Sequence, residues 1–203
     1  MTRDEEARVI QAVLDGDTAR FEELVHAYEK GIYNLCLRML GDEQDALDAS
    51  QDAFFKAYRA LSGFRGESRF SSWLYRLASN VCLDMLRRRP AASDVPLSEE
   101  DEFDRLFRDT RPTPQQELER KELRETVAVA LSQMTPESRQ VIVLRDVNGL
   151  SYDEIGTITG LEAGTVKSRI YRARKKLADA LLESGNFSGY APSKNMRKGG
   201  ADT

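Results

Sequence analysis

The chain has 203 residues, with 30 Lys and Arg against 34 Asp and Glu, a single His and a formal net charge of −4. Apolar residues make up 40% and charged residues 32%, which suits one medium or two small soluble domains and excludes a disordered chain. The longest apolar runs, such as Val141-Ile142-Val143-Leu144, fall far short of the roughly 20 residues of a membrane span. The start, Met1 to Glu6, is polar and acidic with no apolar stretch after it, so no secretory leader is expected and the cytoplasm is the expected compartment. Cys36 and Cys82 stand alone, without a CxxC pair, so neither a disulfide framework nor a zinc site is supported. His26, Cys36 and Cys82 read as core or surface fillers.

Helical periodicity dominates the first half, and the absence of sustained period-two alternation argues against strands. From Asp17, apolar residues Phe21, Leu24, Val25, Tyr28, Ile32, Leu35, Cys36 and Met39 keep three/four spacing, and Gly41 is placed to end the helix. Asp42 is a candidate cap for a second helix with the apolar face Ala46, Leu47, Ala53, Phe54, Ala57, Tyr58 and Leu61. A loop from Ser62 to Ser68 precedes a third helix carrying Phe70, Trp73, Leu74, Leu77, Val81 and Leu83 to Arg89, where Pro90 stops it.

Between residues 91 and 116 the periodicity fades. Pro96, Pro112 and Pro114 bracket the acidic run Glu99-Glu100-Asp101-Glu102, which reads as a linker with at most a short helical turn near Phe103. Helical patterning resumes near Gln116 and holds to Leu131. Thr135-Pro136-Glu137 then reads as a cap with proline at the first helical position, opening a helix from Gln140 to Val147 that Asn148-Gly149 breaks. The tail from Ser184 is rich in Gly, Ser and Lys and is expected to be disordered.

Two segments carry chemistry. Ser151-Tyr152-Asp153-Glu154 is a capping box opening a short helix that Gly160 closes, with Gly156 placed to let two helices cross closely. The helix after it puts Val166, Ile170, Ala173, Leu177 and Leu181 on one face, and Thr165, Lys167, Ser168, Arg169, Tyr171, Arg172, Lys175 and Lys176 on the other. This is a helix-turn-helix whose second helix suits a major groove: Arg pairs with guanine, Ser and Thr reach bases or phosphates, and Lys neutralises phosphate. In the first half, Phe64-Arg65-Gly66-Glu67-Ser68-Arg69-Phe70 interleaves rings, cations and hydroxyls, with Arg76, Asn80 and Arg87-Arg88-Arg89 on the helix behind it. Aromatic platforms beside cations suit unpaired bases, although Trp73 and Leu77 fit a core better.

In this order the motifs resemble the extracytoplasmic-function (ECF) class of bacterial RNA polymerase sigma factors. Asp45-Ala46-Leu47-Asp48-Ala49-Ser50-Gln51-Asp52-Ala53-Phe54 is similar to that family's polymerase-clamp helix. Phe64-Arg65-Gly66-Glu67-Ser68 with Phe70, Trp73-Leu74, Ala78, Asn80, Asp84 and Arg87-Arg88 is similar to its −10 region. Leu150 to Ile155 with Gly164 to Arg174 is similar to its −35 reader, and the resemblance spans about residues 5–182.

The resemblance implies an all-α chain of two small helical domains joined by an acidic, Pro-containing linker, the second containing the helix-turn-helix. Residues 1–90 would form domain 2, 91–116 the linker, 117–183 domain 4 and 184–203 a tail without assigned role. It also implies core RNA polymerase and promoter DNA as partners, with an anti-sigma factor as a further one. Asp48, Gln51, Asp52 and Phe55 would meet the polymerase. Arg65, Ser68, Phe70, Asn80 and Arg87 would meet the melted −10 strand. Thr165, Lys167, Ser168, Arg169, Tyr171 and Arg172 would meet the −35 duplex. No catalytic residue, metal or cofactor is implied. The alternatives are a stand-alone helix-turn-helix operator-binding regulator and a metal-dependent enzyme built on Glu99 to Asp104.

Overall fold

The protein is described from a computed structural model, in which residues 1–88 and 114–183 are placed. The expected stop at Pro90, the acidic run of the linker and the tail lie outside the described residues. The described residues form eight α-helices and no strand.

An unexpected helix comes first. α1 (Arg3–Leu14) opens on a capping box: the Thr2 side chain accepts from the Glu5 N–H, and the Glu5 carboxylate accepts from the Thr2 N–H at 2.7 Å. The Thr-x-x-Glu spacing was its signal in the sequence. α1 buries Val9, Ile10 and Val13. A 3₁₀ turn (Thr18–Arg20) leads into α2 (Phe21–Leu40), which ends as expected at Gly41 in the left-handed conformation. Asp42 caps α3 (Glu43–Ala60) by accepting from the Asp45 N–H at 2.8 Å, and α4 (Phe70–Arg88) follows the loop. Helices α2, α3 and α4 pack against one another.

The packed face of α3 differs from the expected one. Ala46, Ala49, Ala53 and Ala57 are buried, whereas Leu47 is 43% and Tyr58 42% exposed. Short side chains let helix axes approach to the low end of the usual 8–10 Å, and the alanine stripe therefore takes the inner face. Leu47 and Tyr58 are corrected to the rim, where the Tyr58 ring meets Phe21 edge-on at 5.1 Å between centroids.

In the second half, α5 (Pro114–Ser132) leads to α6 (Pro136–Ile142), whose proline lies in the first turn after Thr135. The Thr135 hydroxyl does not cap the helix and instead bonds Ser138 Oγ at 2.9 Å. The expected helix to Val147 changes character: Val143–Val147 is a π turn, closed by Asn148 N–H donating to the Val143 carbonyl at 3.0 Å. Gly149 leaves it with φ +70°. α7 (Tyr152–Thr159) and α8 (Ala163–Glu183) complete the domain.

The two halves share one apolar core: α7 rests on α4, and α5, α6 and the π turn rest on α2. Two polar side chains tie the junction. Buried Arg139 of α6 donates to the Met39 carbonyl of α2 and, at 2.8 Å, to the Ser132 carbonyl. Asn148 Nδ2 donates to the Gly31 carbonyl at 3.1 Å and lies 3.3 Å from the Tyr75 hydroxyl.

Gly31 sits inside α2, where glycine costs about 1 kcal/mol against alanine. A Cβ there would collide with Tyr75 Oη, so the glycine makes room for a buried phenol reaching the junction. Gly31→Ala is expected to destabilise the protein by about 1–3 kcal/mol in urea unfolding. In a Tyr75→Phe background most of that cost should vanish, a coupling that a double-mutant cycle reads directly.

Candidate nucleic-acid and polymerase interface

Three exposed surfaces emerge, each set by what its helix buries. On α3 the inward alanines turn Asp48, Gln51, Asp52 and Phe55 outward as an i, i+3, i+4, i+7 stripe. Phe55 is 58% exposed, the Arg59 guanidinium lies 5.6 Å from its ring centroid, and Lys56 pairs with Asp52 at 2.8 Å. Leu47 and Tyr58 extend the stripe, although their hydrophobicity alone reads as core. The result is an exposed apolar row edged by acid.

The second surface is the loop before α4 together with one side of that helix. Arg65 and Asn80 are exposed, and Ser68 is half-buried. Arg76, Asn80 and Arg87 follow one another along the exposed side of α4, with Arg87 paired to Asp84 at 3.3 Å. Gly66 turns the loop tip with φ +70°. Phe70 departs from its expected role as a base platform: it is 1% exposed and enclosed by the rings of Tyr28, Phe64 and Trp73, at centroid separations of 5.9, 5.9 and 5.7 Å. Burying such a ring stabilises by about 2–3 kcal/mol, and its burial is what anchors the loop. Trp73 and Leu77 pack on the core, as expected.

The third surface is α8. The Ser151 capping box forms in both directions, the Ser151 N–H donating to Glu154 Oε2 at 2.8 Å and the Glu154 N–H to Ser151 Oγ at 3.2 Å. The bond from the Ser151 N–H holds the Glu154 carboxyl below its ordinary range, aided by the Ser151 hydroxyl. Gly160 adopts φ +71° and closes α7. The close approach expected at Gly156 is to the turn itself: a Cβ there would meet the Leu161 carbonyl at 2.8 Å.

Val166, Ile170 and Ala173 are buried beneath α8, while Thr165, Lys167, Ser168, Tyr171 and Arg172 are exposed, Tyr171 at 67%. At about 100° per residue, Ser168, Tyr171, Arg172 and Lys175 lie opposite the buried face, and half-buried Arg169 lies on the flank. Arg174 is taken out of the basic face by a two-point ion pair with Asp146, with Nε at 3.0 Å from Oδ2. The π turn places Asp146 for that pair. It also aims Arg145 at the Leu150 carbonyl, 2.6 Å away, and over the Tyr152 ring at 4.8 Å.

Other titratable groups fit structural roles. His26 is exposed between Glu22 and Glu29. Cys36 and Cys82 are buried core fillers, and contact with Cys36 together with burial pushes the Cys82 thiol up, away from thiolate chemistry. Among the described residues no cluster of His, Cys, Asp and Glu could hold a metal, and no helix is long and apolar enough to cross a membrane. The carboxylates Glu99 to Asp104 lie outside the described residues.

A helical module with an outward apolar and acidic stripe, joined to a helix-turn-helix module, is the architecture of a sigma factor. Residues 24–91 match Sigma-70 region 2 and residues 124–177 match Sigma-70 region 4. The RNA polymerase sigma-H factor of Pseudomonas aeruginosa is 38% identical over 89% of this chain and 96% of its own length. The ECF RNA polymerase sigma-E factor of Escherichia coli is 37% identical over 83% of this chain and 90% of its own. The solved structure of CnrH in complex with the cytosolic domain of CnrY covers 88% of this chain and 97% of that one, at 30% identity and TM-score 0.63. The sigma factor RpoE of Bartonella quintana, solved with the anti-sigma factor NepR, shares the fold at TM-score 0.62 and 21% identity, over 80% of this chain and 96% of that one. The chain belongs to the ECF class of the sigma-70 family. It therefore binds core RNA polymerase and directs promoter recognition, and the stand-alone regulator is not favoured.

Gly156→Ala is expected to disrupt the turn of the helix-turn-helix and cost about 1–3 kcal/mol in thermal or urea unfolding. Acid supplies a second check. Because the folded Glu154 carboxyl lies below its unfolded value, its contribution is present above the ordinary glutamate range and is lost as pH falls through the folded value. Glu154→Gln should flatten that part of the acid limb of a stability–pH curve.

Proposed function

We propose that the three exposed surfaces divide the work of initiation. The α3 stripe, with Asp48, Gln51, Asp52 and Phe55 and the neighbouring Leu47 and Tyr58, docks on core polymerase. Arg65, Ser68, Asn80 and Arg87 receive the melted non-template strand of the −10 element, with Phe70 as the buried anchor of the loop. Thr165, Lys167, Ser168, Tyr171 and Arg172 enter the −35 major groove, with Arg169 at its edge. The observation that carries this reading is the separation of roles by helix face: each helix buries a short apolar stripe and turns a chemically distinct stripe outward. An anti-sigma protein is a further partner, on the likeness to the sigma factor RpoE of Bartonella quintana, which was solved with the anti-sigma factor NepR. The chain supplies specificity and no catalytic group of its own.

Reading two promoter elements requires the halves to part, since α7 rests on α4 here. Run-off transcription with core polymerase on random promoter libraries tests the reading. Promoter-directed transcripts only in the presence of the chain are expected. Tight binding of the purified chain alone to a palindromic duplex would instead favour a stand-alone regulator.

Arg172→Ala is expected to relax base preference in the upstream element, costing about 1–3 kcal/mol of discrimination, and Arg169→Ala less. Asn80→Ala should leave upstream contact intact and impair opening, read by permanganate footprinting. Phe55→Ala should weaken assembly with core polymerase by about 1–2 kcal/mol or more in a binding titration, with promoter preference unchanged.

A further inference from the structure

α1 lies outside the stretch that matches Sigma-70 region 2, and the division of work above leaves it without a task. Its Glu6 is a carboxylate only 4% exposed. One oxygen accepts the Tyr28 phenol, and the other accepts the backbone N–H of Phe70 at 3.3 Å. Burial, then the bond to Glu6, pushes the Tyr28 phenol up, so it remains a donor.

Phe70 is the first residue of α4, and a helix start leaves its N–H groups in need of acceptors. The residue before it, Arg69, has a guanidinium and so no acceptor to offer. Glu6 supplies one from a distant part of the chain and sets negative charge at the positive end of the helix. Three residues earlier, Arg3 Nη2 donates to the Gly66 carbonyl at 2.9 Å. A Cβ on Gly66 would meet nothing within 4 Å, so side-chain packing does not hold the loop tip there. The two bonds fasten the tip and the end of the segment that carries Arg65 and Ser68.

We propose that α1 is the positioning element of the strand-capture loop, with Arg3 and Glu6 holding residues 65–68 in the shape that receives an unpaired base. Neither residue touches DNA. The inference rests on the assignment of that loop to the −10 strand, and the experiment separates the two. The full chain is assembled with core polymerase on a promoter fragment selected from a random library, and permanganate reactivity of the −10 thymines is measured beside the unfolding midpoint and core affinity. Arg3→Ala, an exposed change with little risk to folding, should lower reactivity about two- to tenfold at unchanged midpoint and core affinity. Arg3→Lys, which keeps a donor, should recover most of it. In an Arg65→Ala background, Arg3→Ala should add little, and Glu6→Gln should act in the same direction as Arg3→Ala.

Wild-type opening by Arg3→Ala, with Arg65→Ala defective, would overturn the positioning role and leave the loop assignment standing. An equal loss from Arg3→Ala with and without Arg65, or a loss that only tracks the unfolding midpoint, would reduce α1 to scaffold and overturn it too. Normal opening by Arg65→Ala would remove the loop assignment itself, and the positioning role with it.

Discussion

The alanine stripe of α3 is the constraint on which the first domain depends. Ala46, Ala49, Ala53 and Ala57 present almost no side chain, so α2 and α4 close on α3 at short range and gain dispersion contacts along its whole length. Once that face is inside, helical geometry leaves Asp48, Gln51, Asp52 and Phe55 no direction but outward. A single larger residue in the stripe would push the axes apart and loosen the packing of Phe70 and Leu74 on α4, and with it the loop that Phe70 anchors. The outward stripe of α3 and the anchoring of the loop before α4 are thus two consequences of one packing decision.

Charge follows the same logic. A chain of net charge −4 is a poor general DNA binder, since affinity for duplex comes largely from neutralised phosphates. As a sigma factor it works together with core polymerase, so the chain need not be basic overall. Arg174 illustrates the economy of placement: the π turn delivers Asp146 to it, and a two-point pair holds it against the domain. Lys167, Arg172 and Lys175 remain exposed on α8.

The junction between the halves is built from polar groups at chosen points in an apolar core. Arg139 and Asn148 come from the second half, and the carbonyls they reach belong to α2. Bonds of this kind add directionality that apolar packing lacks, because a slid or rotated domain would break the bonds from Arg139 to Met39 and from Asn148 to Gly31.

Local chemistry determined much of this protein from its residues alone. Gly41, Asp42, the Ser151 box and Gly160 each declare a helix end by the hydrogen bonds or the left-handed backbone they supply within a few residues. Periodicity located α2, α4 and α8, and with them the helix-turn-helix. Thr2-x-x-Glu5 declared α1 just as openly, and was masked by the polar residues around it. What no local pattern contains is the choice between two faces of one helix or the meeting of distant residues. Leu47 and Tyr58 are more hydrophobic than the alanines that displaced them, and only the approach of α2 and α4 decides for the smaller set. Phe70 fits a base platform or a core equally well until Tyr28, Phe64 and Trp73 close around it. Glu6 reaching Phe70, Arg3 reaching Gly66 and Asn148 reaching Gly31 span from about sixty to more than a hundred residues of chain. Such contacts arise from packing, because burial energies depend on which surfaces meet and not on where they lie in sequence.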